Sequence, residues 1–328
     1  LHFTFTQPET HGFAGFLFAV LTGFDKPFNQ APSLHIALLV ILWVLYARHV
    51  PRWALWLLHP WLVGVSVLTT YQHHFIDIPT GALLGFFCLW LWPDRGESPV
   101  AAFQLTGDRR RMVLAARYLA GAIATAALAL WIGGAGWWLF WPAISLLLVA
   151  ANYAALGAGG FQKGPDGDMS LAARVLLAPY LLGAWINSRA WTRRESAPVI
   201  VADGVALGRL PSRRGAADFA SVIDLSAELP RPEQHVAWRA FPTLDLVVPQ
   251  PQLLRAAAQA IEEGRARGPV LVCCALGYSR SASALATWLS AYGHAGTVAT
   301  AVARIRRARP QVVLGDATVA AIGRAAAP

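Results

Sequence analysis

Val270-Leu-Val-Cys-Cys274-Ala-Leu-Gly-Tyr-Ser-Arg280-Ser281 is the stretch that decides how the C-terminal part of the chain folds. A short apolar, β-branched run ends in a cysteine, five residues follow, and an arginine opens the apolar segment 281–291. That pattern reads as a buried strand, a tight loop and a helix. Loop amides and a helix N-terminus then converge on one point, an arrangement that suits an oxyanion. The same dipoles, with Arg280, favour the thiolate of Cys274, the form in which a cysteine is nucleophilic. Arg280 can clamp two phosphate oxygens through its planar fork.

Outward from this loop, 199–201 and 205–207 flank Asp203-Gly204 as a hairpin. Residues 221–225 read as a strand, and 252–265, 281–291 and 298–307 as helices. Strands alternating with helices imply an α/β layer. Two carboxylates precede the loop. Asp245, in Phe241-Pro-Thr-Leu-Asp245-Leu, lies 29 residues before Cys274, just ahead of a helix, and Asp224, in Val222-Ile-Asp-Leu, sits at a strand end.

These residues resemble the cysteine-dependent protein tyrosine phosphatase superfamily, in its dual-specificity branch, over about 198–328. The resemblance implies a central mixed sheet flanked by helices. It implies that Cys274 attacks phosphorus and forms a phosphocysteine that water hydrolyses. Arg280 and the loop residues Ala275, Leu276, Gly277, Tyr278 and Ser279 would bind the phosphoryl group, and Ser281 would assist release of the thiolate. A general acid is also implied, with Asp245 preferred and Asp224 the competitor. The family has histidine before its nucleophile, where this chain has Cys273. Such chemistry takes no cofactor and no metal. The substrate would be a phosphorylated protein or a lipid phosphate.

Before residue 196 the composition changes: 12 of the 14 tryptophans precede residue 192. The whole chain of 328 residues is 56% hydrophobic and only 14% charged, which excludes a disordered chain and a single water-soluble globule. The net charge of +9 is spread over both halves without a basic block, so no nucleic-acid partner is expected. Three cysteines, Cys88, Cys273 and Cys274, make no disulfide framework and point to a reduced compartment for the C-terminal half.

Five apolar runs, 33–47, 53–70, 78–92, 112–132 and 137–156, are expected to span a membrane, an inner membrane of bacterial type. Arg48, Arg52, Arg95 and Arg109 to Arg111 orient the loops that carry them, and the C-terminal domain, to the cytoplasm. Residues 158–197 read as a linker with an amphipathic stretch, 171–191, lying on the membrane or packing on the soluble domain. The expected architecture is an all-α transmembrane bundle, 1–157, the linker, 158–197, and the α/β domain, 198–328. The chain begins at Leu1 inside an aromatic stretch with no charged leader, as expected for a fragment lacking upstream sequence.

On the outer side, Pro32-Ser33-Leu34-His35 opens the first run, and Tyr71-Gln-His73-His74-Phe-Ile-Asp77-Ile-Pro-Thr-Gly81 leads into the third. A histidine held by a carboxylate can act as nucleophile and a second histidine as acid. Over about 1–95 these motifs resemble the type 2 phosphatidic acid phosphatase superfamily, in its inositol-phosphorylceramide and sphingomyelin synthase branch. The resemblance implies that His73 attacks a phosphoryl group, Asp77 orients it and His35 protonates the leaving group. His74 is the alternative nucleophile. Two phosphate-binding arginines of that superfamily have no counterpart: the best match to its lysine–arginine element is Gln7-Pro8, and Ser66-Val67 stands where Ser-Arg is usual. This half would then transfer or cleave a phospholipid headgroup. Otherwise the whole chain would be a phosphate-binding membrane adaptor with little turnover.

Overall fold

The computed structural model describes residues 11–13, 15–16, 19–20, 32–47, 49–59, 77–94, 96–233 and 235–327. The chain divides into two compact units, Leu1–Asp94 and Arg95–Pro328. The division therefore falls inside the expected first domain, 1–157, and not at 157 or 197. The apolar helices after residue 108 belong with the α/β layer, because their side chains are used by it.

In the first unit, α1 (Leu34–Tyr46) starts from Ser33, whose side chain accepts from the Ile36 N–H, and α2 (Arg52–His59) and α3 (Asp77–Leu91) follow. α1 and α3 are parallel neighbours. A Cβ on Gly81 would lie 2.5 Å from the Ser33 carbonyl oxygen, and one on Gly85 would lie 2.7 Å from that of Ala37. Gly81 and Gly85, four apart on one face, thus let the two backbones approach as small residues do between membrane helices. α1 and α3 have 13 and 15 residues. They are about 20 and 23 Å long at 1.5 Å per residue, short of the ~30 Å of a hydrocarbon core. These two expected spans are therefore short apolar helices, and the run 53–70 is described only through residue 59.

The second unit opens with α4 (Arg109–Ile132), capped by Asp108, whose carboxylate accepts from the Arg110 N–H at 2.8 Å. A tight turn leads to α5 (Phe140–Ala151), which continues through a π-helical turn at Asn152–Leu156. α5 returns antiparallel along α4: Gly121 faces Leu146, Tyr118 stacks on Tyr153 at 5.3 Å, and Arg111 Nε donates to the Tyr153 carbonyl at 3.0 Å. α4 and the segment Gly134–Phe161, with 24 and 28 residues, are long and apolar enough to cross a membrane. Leu119, Ile123, Leu130, Trp131 and Ile132 are exposed on α4. The stretch 171–191 is broken before Pro179 into α6 (Leu171–Leu176) and α7 (Ala178–Trp191).

The sheet has five strands: β1 (Val199–Ala202), β2 (Val205–Arg209), β3 (Ser221–Ser226), β4 (Ala237–Thr243) and β5 (Val270–Cys274). Their order is β1-β2-β5-β3-β4, with β1 antiparallel to β2 and the other pairs parallel. β5 is central and buried throughout, as its unbroken apolar run requires. Alternation sends Val270, Val272 and Cys274 to one face and Leu271 and Cys273 to the other. The first face packs under α8 (Pro251–Arg265), α9 (Arg280–Ala291), α10 (Val298–Ala308) and α11 (Asp316–Ala326) through Leu254, Ile261, Leu285, Trp288, Ile305 and Ile322. The second carries Ala206, Val222 and Trp238, with Ala184 of α7 against them.

The expected linker is tied into this layer. Lys163 Nζ, fully buried, bonds Asp224 Oδ2 at 2.5 Å, the Leu229 carbonyl at 2.6 Å and the Ser226 carbonyl at 2.8 Å. Removing one partner of such a pair leaves a buried charge uncompensated, at about 3–5 kcal/mol. A Lys163→Met chain is accordingly expected to melt well below wild type in a calorimetric scan. Near-unchanged melting would mean that Asp224 finds another partner.

Candidate active site

Parallel strands gather their C-terminal ends at one edge, and that edge is where open α/β sheets hold ligands. Here β5 ends in Cys274, Glu228 follows β3 and Asp245 follows β4. Residues 274–280 form a closed loop from β5 into α9. Gly277 N–H donates to Cys274 Sγ at 3.2 Å, and Ser281 Oγ lies 3.2 Å from the same sulfur. Gly277 has φ +78, and a Cβ there would sit 2.5 Å from the carbonyl carbon and oxygen of Gly208 on β2. Only glycine gives the loop this backbone and this closeness to the neighbouring strand.

The loop carbonyls are held from outside. That of Cys274 accepts from Leu210 N–H at 2.7 Å, that of Ala275 from Ser188 Oγ at 2.5 Å, that of Leu276 from Arg309 at 3.3 Å, and that of Tyr278 from Val313 N–H at 2.9 Å. With these acceptors turned outward, the amide side of the loop is left toward the sulfur, as Gly277 demonstrates. Arg309 also lies over the Tyr278 ring at 5.1 Å. These contacts order the loop where the family resemblance would have a histidine. Cys273 is fully buried on the opposite face. Burial, then the Asp224 carboxylate and Cys274, push its thiol well above the ordinary range. It is a neutral core residue.

Arg280 is 2% exposed. Its two terminal nitrogens meet Glu228 as a fork, at 2.7 and 2.6 Å, and one also donates to the Thr243 carbonyl at 2.8 Å. Burial alone would lower the guanidinium pKa, but Glu228 and Asp245 outweigh it and hold the charge firmly. Burial alone would raise Glu228. The Arg280 charge and hydrogen bonds, with a further contribution from Lys163, instead hold its carboxyl below the ordinary value. Arg280 Nε has no hydrogen-bond partner among the described residues.

Asp245 Oδ1 is 3.2 Å from Arg280, with a side chain 38% exposed, and its carbonyl accepts from Tyr153 Oη at 3.1 Å. Asp224 is fully buried and spoken for: Oδ2 by Lys163, Oδ1 by Ser226 N–H and Oγ, each at 2.8 Å. The structure therefore brings Cys274, Ser281, Arg280 and Asp245 together and leaves Asp224 out. Glu228 joins the cluster although no spacing marks it. A cleft of about 370 Å³ adjoins the cluster, lined by Ala275, Leu276, Glu228 and Asp245 and by Tyr118, Leu146 and Tyr180.

In the first unit, the parallel packing of α1 and α3 puts the helix starts that carry His35 and Asp77 at the same end. Asp77 is 2% exposed and His35 half-buried. His73 and His74 lie outside the described residues, as do Gln7-Pro8 and Ser66-Val67.

No protein-family model matches the chain, and no curated protein matches it. Three solved structures similar to it are each covered nearly whole by about two-fifths of this chain. Human DUSP28 is 25% identical over 39% of this chain and 94% of its own, with a TM-score of 0.35. Tk-PTP in its active form is 24% identical over 40% of this chain and 97% of its own, with a TM-score of 0.34. PTPMT1 in complex with PI(5)P is 21% identical over 38% of this chain and 92% of its own, with a TM-score of 0.35.

Proposed function

We propose that the chain is a phosphomonoester hydrolase that works through a phosphocysteine at Cys274. The observation that carries this reading is the sulfur held by Gly277 N–H and Ser281 Oγ at the mouth of a helix, beside a guanidinium fixed by Glu228. The thiolate attacks phosphorus as the ester P–O bond breaks, and Asp245 gives its proton to the leaving oxygen. The unpartnered Arg280 Nε and the loop amides of Ala275 to Ser279 take the phosphoryl oxygens. Water then attacks the phosphocysteine, Asp245 receives its proton, phosphate leaves, and Ser281 donates to the returning thiolate. Phosphate release by the wild type, absent from the Cys274→Ser chain, tests the reading. Tight vanadate binding without turnover in the wild type would replace it with the adaptor reading.

Asp245 acts as general acid in this scheme. An Asp245→Asn chain should lose about 10²–10⁴-fold in kcat on an alkyl phosphate. The loss should be much smaller on p-nitrophenyl phosphate, whose leaving group needs little protonation. Equal losses on both would remove Asp245 from that role.

We read the chain as membrane-held through α4 and Gly134–Phe161, with the α/β layer on the arginine-rich, cytoplasmic side. Cleavage of the C-terminal part by protease added outside sealed, right-side-out vesicles would overturn that topology. For the first unit, the shared end of α1 and α3 supports a second site in which His73 is the nucleophile, Asp77 its orienting partner and His35 the acid. Lipid headgroup products that do not change in a His73→Ala chain would count against it.

A further inference from the structure

The cleft beside Ala275 and Leu276 of the 274–280 loop is not walled by loops of the α/β layer alone. Tyr118 belongs to α4, Pro142 and Leu146 to α5, and Pro179, Tyr180 and Gly183 to α7. The outer sides of these helices are apolar: Leu119, Ile123, Leu147, Leu182, Trp185 and Ile186 are all exposed. A water-facing surface seldom keeps so much apolar area, and a bilayer would cover it. A ligand entering the cleft would thus pass along helix faces suited to hydrocarbon.

A second hollow, of about 350 Å³, adjoins the first. It is lined by Arg109, Arg110, Arg117, Val113, Leu114 and Leu246, with no acidic side chain. Consecutive residues form the shared wall: Arg117 and Leu246 face this hollow, while Tyr118 and Asp245 face the catalytic cleft. Leu246 is 70% exposed and has φ +58, a backbone that a branched side chain rarely adopts. Glu228, which lines the cleft, already matches the buried Arg280 charge. The three arginines of the second hollow, which shares its wall with Asp245, are thus open to an anionic group of the substrate.

Resting on the phosphomonoesterase reading, we propose that the substrate is a membrane phospholipid with a terminal phosphomonoester and an inner phosphodiester. The monoester sits on Cys274, the diester lies against Arg109, Arg110 and Arg117, and the acyl chains stay on the apolar faces of α4, α5 and α7. Hydrolysis transfers the terminal phosphoryl group to Cys274 and then to water, leaving a phospholipid with a free hydroxyl headgroup and inorganic phosphate.

The test uses the full chain in phosphatidylcholine vesicles with five substrates: phosphatidylglycerophosphate, its deacylated headgroup, phosphatidic acid, a phosphotyrosyl peptide and p-nitrophenyl phosphate. kcat/KM for phosphatidylglycerophosphate should exceed that for the deacylated headgroup by about 10² and that for phosphatidic acid, which lacks the diester, by about tenfold. An R110Q/R117Q double variant should lose about tenfold more on phosphatidylglycerophosphate than on p-nitrophenyl phosphate. Preference for the peptide, or equal turnover of lipid and headgroup, overturns the proposal while leaving the phosphatase reading intact. Failure of the wild type to exceed Cys274→Ser on p-nitrophenyl phosphate overturns the phosphatase reading instead. Affinity is read separately on the Cys274→Ser chain, by calorimetric titration of lipid and headgroup. Equal affinities overturn the substrate proposal whatever happens to turnover.

Discussion

A Cys274→Ser chain is expected to release phosphate at least about 10⁴-fold more slowly than the wild type, with little change in stability. The exchange of sulfur for oxygen keeps the side chain's size and its neighbours, Gly277 N–H and Ser281 Oγ. It removes the ionisation. A serine hydroxyl needs an adjacent base to become a nucleophile, and the groups bonded to the sulfur here are an amide and another hydroxyl. The check is single-turnover phosphate release beside a thermal melt of both proteins. Retained turnover with an unchanged melt would show that the chemistry runs elsewhere.

Loss of the Glu228 carboxylate should be the most damaging change to stability at the site. Glu228→Ala leaves the Arg280 guanidinium buried with its fork unmatched, a situation worth about 3–5 kcal/mol. Activity should fall with it, because the guanidinium is then free to turn away from the loop. The pH dependence identifies the cause. The Glu228 carboxyl is held below its ordinary value in the folded state. Its contribution is therefore complete above the ordinary glutamate pKa of about 4.3 and is lost as pH falls through the lower folded value. Glu228→Gln lacks that titration, so melts of the two proteins should diverge at neutral pH and approach each other in acid. A constant gap at every pH would assign the effect to packing.

The strand–loop–helix at 270–281 was legible because three local signals agree there: an apolar β-branched run, a loop too short to wander, and a helix opened by Arg280. Asp245 was singled out by the family resemblance, 29 residues ahead of Cys274, and it lies 3.2 Å from Arg280. Glu228 was not, since a lone acid between β3 and β4 carries no periodicity, and its meaning depends on Arg280, 52 residues later. The same holds for Lys163, which the glycine-rich run around it marks as linker but which lies under Asp224. β4 escaped notice because Pro242 interrupts it, as an edge strand permits. α11 escaped because its alanine-rich sequence has weak apolar contrast. Composition and contacts mark different boundaries in this chain. Composition changes near residue 196, but compactness follows contacts, and α4, α5 and α7 spend part of their surface on the sheet.

Ser188 holds the Ala275 carbonyl, Tyr153 holds the Asp245 carbonyl, and Lys163 lies beneath β3. All three precede the composition change. A protease cutting between Trp191 and Val199 would therefore release a C-terminal fragment without the residues that hold its Cys274 loop. On the membrane-held reading, shedding, which liberates many tethered enzymes, would here extinguish one, because the residues that steady the loop stay behind with the anchor.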